Sequence, residues 1–297
     1  MIKNTIIGSL SGLLAVLIWG LWPVLTREGV TSEFSPAEIV IIRFTVSGIL
    51  LLPFFIKSKC YKKYSIPKSI AITIGAGALY VYVSALGLQY VPAGHLGIVE
   101  TGTMLTLSAI FGYFLLNEKK NKIQMFGYVV VFLGMVIVNY QNFLFFDRNI
   151  ILGDFLLVIG GVLWAEYTIL SKKWNISSWD AVSIVSVYSM VIFIPLIFIF
   201  DYDNINLSMK PLEQLTVQAI GQGVLAAVIA LYLFTLSINL LGASRGSVFG
   251  ALVPSVAIIG GLLYLKEIPT SLEIAGLIAT TIGMLLIVIE RKGKNNG

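Results

Sequence analysis

Apolar runs of about twenty residues, separated by short polar stretches, recur along the whole chain. Ten such runs stand out, near 6–25, 38–56, 69–89, 93–116, 123–141, 153–172, 180–200, 215–239, 244–265 and 271–290. An α-helix rises about 1.5 Å per residue, so about 20 residues cross a hydrocarbon layer of about 30 Å. The pattern therefore predicts an all-α polytopic membrane protein with ten transmembrane helices. A membrane β-barrel would show weaker, alternating segments of about ten residues. The joints "QYVPAG" and "NLLGAS" are very short. They make the third and fourth helices, and the eighth and ninth, antiparallel neighbours.

Composition supports this pattern. The 297 residues are 57% hydrophobic and 12% charged, with a mean hydropathy of +0.92. A soluble domain is typically about 25% charged. Cys60 is the single cysteine, so no intrachain disulfide is expected. The N-terminal run lacks a small-residue cleavage site and is expected to stay as the first span. No cluster has metal-ligand spacing, and no phosphate-cradling loop or nucleophile elbow occurs. An enzyme, a metal and a cofactor are therefore not expected. No loop is long enough for a nucleotide-hydrolysing domain, so energy must come from an ion gradient or from the solute's own gradient.

Charge distribution sets the orientation. With the N-terminus inside, fifteen of the 20 lysines and arginines fall on the inner side. Arg27, Arg148, Lys210 and Lys266 fall on the outer side, and Arg43 lies within the second span. By the positive-inside rule both termini are cytoplasmic. This bias accounts for the net charge of +5 without a nucleic-acid partner.

The chain also resembles itself at an offset of about 150. "GSLSGLLAVLIWGLWPVLTR" lies over "GDFLLVIGGVLWAEYTILSK", with Trp19 on Trp164 and Arg27 on Lys172. "NEKKNKIQMFGYVVVFLGMVIV" lies over "KEIPTSLEIAGLIATTIGMLLIV", with Gly127 on Gly276 and Gly134 on Gly283. The predicted units are a five-helix repeat over 1–145, a second over 146–290, and a cytoplasmic tail over 291–297. Five is odd, so the two repeats must insert with opposite topology. Inverted repeats are characteristic of secondary transporters, with the solute held between the halves. The plainer alternative is a duplication kept for packing, in a membrane scaffold or receptor.

"LIWGLWPV", "IVIIRFTVSGILLL", "VPAGHLGIVETGTM" and "PSVAIIGGLLYLKEIPTSLEIAGLIATTIGMLLIV" occur in that order. Over nearly its whole length the chain resembles a ten-span EamA-type member of the drug/metabolite transporter superfamily. The resemblance implies two inverted five-helix repeats around a central cavity. It implies that the first, third, fourth, sixth, eighth and ninth helices line that cavity. It also implies transport of amino acids, purines, drugs or other small metabolites. One departure is that Pro254 marks the fourth helix of the second half, while the first half has Met104 or Leu105 there. The two central helices are thus expected to bend differently.

Ionisable groups inside a bilayer are costly and by default mark function. In "GHLGIVETG", Glu100 is about the eighth residue of its span, roughly 10 Å from the outer end. It must face a wet cavity, bind a proton or pair with a cation, Arg43 being the structural candidate. His95 lies one turn deep on another face, as an outer-mouth ligand, a pH-sensitive group or a packing residue. Glu166 in "LWAEYTILSKK" faintly resembles the glutamate-bearing helix of small multidrug resistance transporters. A snorkelling pair with Lys172 or Lys173 is its structural alternative. Trp19, Trp164, Tyr80 and Tyr232 are candidates to bind apolar or cationic groups. Gly97, Gly102, Gly246 and Gly250 are expected to let the central helices approach closely. "GASRGSVFG" adds Gly242 to that series.

These residues predict a secondary active transporter in the bacterial plasma (inner) membrane. It works by alternating access, with export as the expected direction. The expected solute is a small amino-acid-like or cationic amphiphilic molecule, with protons as a coupling partner. The competing solute is an anionic metabolite, drawn by Arg43, His95 and Arg245. The lipid bilayer is the other partner, and the protein is a monomer or a homodimer.

Overall fold

The computed structural model describes residues 2–241, 246 and 248–288, with the side chains at 2, 3 and 141–143 excepted. Gly242, Arg245 and the tail over 291–297 lie outside the described residues. Ten helices are long and apolar enough to cross a membrane. They are α1 (Asn4–Ser32), α2 (Pro36–Lys57), α3 (Ile66–Gly87), α4 (Ala93–Leu116) and α5 (Lys122–Tyr140). The second five are α6 (Arg148–Lys173), α7 (Ser178–Phe200), α8 (Leu212–Leu241), α9 (Val248–Leu265) and α10 (Ser271–Val288). The apolar pattern located all ten, and no strand occurs among the described residues. Helix α1 continues to Ser32, so Arg27 is part of a helix rather than a loop.

Local chemistry sets where these helices start and bend. Ser35 caps α2 with a reciprocal bond to Glu38, and Pro36 occupies the first turn. Helix α3 breaks at Gly77, where the hydroxyl of Ser189 on α7 accepts from the Ala78 N–H at 3.1 Å. A Cβ at Gly77 would fall 2.3 Å from the Thr73 carbonyl, so the break needs glycine. Helix α4 carries a π turn over Leu96–Glu100. Helix α9 opens with a 3₁₀ turn over Val248–Leu252, just before Pro254. The two central helices thus start with different irregular turns, and π turns often sit at functional sites.

Glycine governs the closest packing. On α5 and α10, Gly127 faces Gly283 and Gly134 faces Gly276. A Cβ at Gly127 would lie 2.8 Å from the Gly283 carbonyl, and one at Gly134 would lie 2.9 Å from that of Gly276. Residues without side chains bring membrane helices to backbone contact. Gly97 meets the Pro254 backbone in the same way, linking α4 to α9, and Gly246 meets Ile238. Gly102 faces the side chains of Met135 and Val131 rather than a backbone. Gly250 has open space around it, so the expected helix contact is not made there. It lies in the 3₁₀ turn, and no described residue comes within 4 Å of a Cβ placed there.

Ion pairs mark both ends of the bundle. At the end holding Lys57 and the α2–α3 joint, Asp180 accepts from Lys63 at 2.5 Å and from Tyr64 at 2.9 Å. Glu118 there pairs with Lys120 at 2.6 Å and with Lys172. At the opposite end Arg27 meets Glu267 at 2.9 Å and donates to the Leu88 carbonyl at 2.5 Å. Large apolar side chains such as Phe114, Phe155 and Ile259 are exposed on the outer faces, as contact with lipid tails requires.

Candidate functional site

Glu100 closes the π turn of α4 and is buried. Its carboxylate accepts from the Tyr80 phenol at 2.6 Å and from the Ser84 hydroxyl at 2.6 Å. Both donors come from the half of α3 beyond the Gly77 break. On the remaining side α6 offers Gly160, where a Cβ would fall 2.6 Å from the carboxylate oxygen. Glu100 forms no ion pair among the described residues. A carboxylate so placed must stay compensated by hydroxyls, bind a proton, or bind a cation.

An aromatic group extends this site. Trp22 stacks on Tyr80 with ring centres 6.1 Å apart, and Trp164 leans on Tyr80 at 4.7 Å. Arg43 lies over the Trp22 ring, its guanidinium carbon 5.1 Å from the ring centre. Such a contact contributes about 2 kcal/mol or more when desolvated. Arg43 also donates to Gln222 at 3.3 Å, while its Nε is buried without a partner. No carboxylate pairs with Arg43 among the described residues. Gln222 is held by the Trp22 indole at 2.6 Å, and its own amide donates to Thr26 at 2.9 Å. A buried carboxyl group bonded to Tyr80 and a buried guanidinium over Trp22 thus contact one Trp–Tyr stack without pairing with each other among the described residues.

The anticipated Glu100–Arg43 ion pair is therefore absent among the described residues. Arg43 lies mid-helix in α2 and is buried. Of the candidate aromatics, Tyr80 bonds Glu100 and Trp164 packs on Tyr80. Trp19 does neither. Its indole donates to the Ala226 carbonyl at 3.1 Å and it leans on Phe234. Tyr232 is half exposed and packs against Trp179, outside the central group. The tryptophan match across the repeat thus does not translate into a shared environment. Glu166 is half-buried and without a hydrogen bond or ion pair among the described residues. Lys172 turns to Glu118 instead, which removes one proposed partner of Glu166.

His95 sits at the Arg27 end of the bundle, apart from Glu100 and with its own partners. Its two ring nitrogens face Asp154 at 2.8 Å and Glu273 at 3.0 Å. A cavity of about 290 Å³ opens there, lined by His95, Glu273, Glu267 and Arg27 among others. Sequence reading missed Ser84, Gln222, Asp154 and Glu273. The last two were visible as acids in the first turns of apolar runs, "GDFLLVIGG" and "SLEIAGL". The glutamine and serine carried no such signal.

Ten apolar helices around a buried, hydroxyl-held carboxylate describe an integral membrane transporter rather than a soluble binding protein. The chain belongs to the EamA-like transporter family, whose model matches residues 6–140 and again 151–289. An uncharacterized transporter of Archaeoglobus fulgidus is 26% identical over 292 residues, covering 94% of this chain and 97% of that one. The uncharacterized transporter YoaV of Bacillus subtilis is 23% identical, covering 93% and 94%. A solved crystal structure aligns with a TM-score of 0.59 at 17% identity, over 94% of this chain and 95% of that one. At that identity the likeness speaks to fold alone.

Proposed function

We propose that this protein is a secondary active transporter for a small amino-acid-like or cationic organic solute, with Glu100 as its central charge. The supporting observation is that Glu100 is deep, buried and held only by hydroxyls, with aromatic rings beside it. Proton and solute ammonium then compete for one carboxylate, which couples solute export to proton entry. The two halves, 1–145 and 146–290, act as inverted five-helix repeats that rock about this site. The double match of the family model supports the duplication. The lysine-rich end faces the cytoplasm of the bacterial cell, with both termini there.

The test is a thermal-shift screen of the purified protein against amino acids, amines and toxic cations, followed by flux of the best solute in proteoliposomes. Flux that responds to an imposed pH gradient and is lost in Glu100→Gln supports the reading. Flux indifferent to both would sink the coupling role of Glu100.

Arg43 favours a second reading. A buried guanidinium with a partnerless Nε suits a carboxylate or phosphate on the solute. Anionic metabolites belong in the same screen, and Arg43→Gln distinguishes the two. It abolishes binding of an anion and leaves binding of a simple amine.

A further inference from the structure

Three helices meet at the Arg27 end through one imidazole. His95 of α4 faces Asp154 of α6 through Nδ1 at 2.8 Å and Glu273 of α10 through Nε2 at 3.0 Å. His95 and Asp154 are buried, and Glu273 is nearly so. A neutral imidazole has one N–H and one bare lone pair. At these distances each nitrogen–oxygen gap needs a hydrogen in it. The cluster therefore holds two bridging protons, either both on the imidazole or one on a carboxylic acid. If one leaves, a lone pair faces a carboxylate across about 3 Å, in surroundings that screen the repulsion weakly. One of the two bridges then breaks.

The two arms are not equal. Glu273 is fixed from its other oxygen, which accepts from the Thr270 N–H at 2.6 Å. Asp154 has no such anchor among the described residues, where its Oδ2 is buried without a partner. Asp154 is thus the arm that can let go, and its free oxygen can receive a proton. The cavity of about 290 Å³ beside His95 gives a route from solution. Its other charged groups, Arg27 of α1 and Glu267 after α9, neutralise each other at 2.9 Å. Helix α5 contributes the apolar Val138 to the lining. Glu100, five residues on, turns away to Tyr80 and Ser84.

We propose that Asp154, His95 and Glu273 form a proton-binding site at the mouth, separate from Glu100. Release of its proton frees α4 from α6 and opens the mouth. The sole histidine gives a direct reporter. The full chain, labelled with ¹⁵N-histidine, freed of its purification tag and placed in lipid nanodiscs, shows one imidazole by NMR. Its resonances are expected to move with pH, histidine being the side chain that ordinarily changes charge between about pH 5 and 8.

A second readout is the rate at which a polar maleimide modifies Ile258→Cys. Ile258 presses on Gly94 in the α4–α9 seam. Rates are normalised to Met209→Cys, an exposed site outside the lining of this cavity. The normalised rate is expected to rise severalfold on proton release in the wild-type background, and to stay flat with pH in His95→Gln and in Asp154→Asn. Asp154→Asn keeps the imidazole, so it decides the matter if His95→Gln does not fold. An imidazole signal that stays fixed with pH, or the same pH dependence in the wild type and Asp154→Asn, overturns the proposal. No solute enters these assays. A failed transport screen leaves a positive result standing, and a flat response here leaves the transporter reading standing.

Discussion

Tyr80 donates its phenol hydrogen to Glu100 at 2.6 Å, and it can do so because α3 breaks at Gly77, three residues earlier. Hydrogen bonds to charged acceptors contribute about 1.5–3 kcal/mol. Tyr80→Phe is therefore expected to lower stability by about that amount. Glu100→Gln keeps an acceptor for Tyr80 and is expected to unfold nearer the wild type while losing pH-gradient-driven flux. Thermal unfolding in detergent, paired with flux in liposomes, separates the two effects. Equal damage to stability from both variants would contradict this division.

Three glycines give a graded packing series. At Gly97 a methyl group would press on the Pro254 backbone at 2.7 Å, so Gly97→Ala must part α4 from α9. Overpacking of this kind costs about 1–3 kcal/mol. Gly102→Ala meets the side chains of Met135 and Val131 rather than backbone, the nearer being the flexible Met135, and should cost less. Gly250→Ala enters open space and should be close to neutral. Melting temperatures of the three variants check the order.

Glu118 predicts an acid-sensitive tie at the lysine-rich end. Lys120, and after it Lys172, hold its carboxyl below the ordinary value of 4.5. A carboxylate with a lowered folded value contributes stability above its unfolded value and loses it as pH falls through the folded one. The stability gap between wild type and Glu118→Gln should thus be full at neutral pH and close below pH 4.5. It should be modest, because Lys172 is largely exposed. Melting curves of both proteins across acidic pH measure it.

Cys60 is expected to resist alkylation in the folded protein. Burial, and then the Asp180 carboxylate beside it, push its thiol up to about 11. The thiolate is the reactive form, so little of it exists at neutral pH. Iodoacetamide should modify Cys60 slowly in the native protein and readily after unfolding in detergent. Rapid modification of the native protein would show that the Lys63–Asp180–Tyr64 contacts do not cover it.

Much of the architecture was legible because a bilayer imposes it. With no water to satisfy backbone groups, a spanning segment must be a helix of about 20 apolar residues. Glu100 was legible for a related reason, since an acid in such a run is too costly to be incidental. The partners were not. Sequence spacing placed His95 and Glu100 on different faces, but only the tertiary fold put Asp154 and Glu273 on either side of His95. Those two acids lie 59 and 178 residues away, on other helices. The same limit applies to Arg43. Its place inside the second span suggested a pair with Glu100, yet Arg43 turns to Trp22 and Gln222 while Glu100 turns to Tyr80 and Ser84. Tyr232 and Gly250 carried plausible residue types on plausible helices, and only helix rotation decided that they face outward. The sequence by itself determined the number of helices and the charges buried among them, because hydration energy acts on each segment alone. Which charge meets which partner was decided by packing between helices distant in the chain, because side-chain contacts depend on rotation and proximity that no single segment encodes.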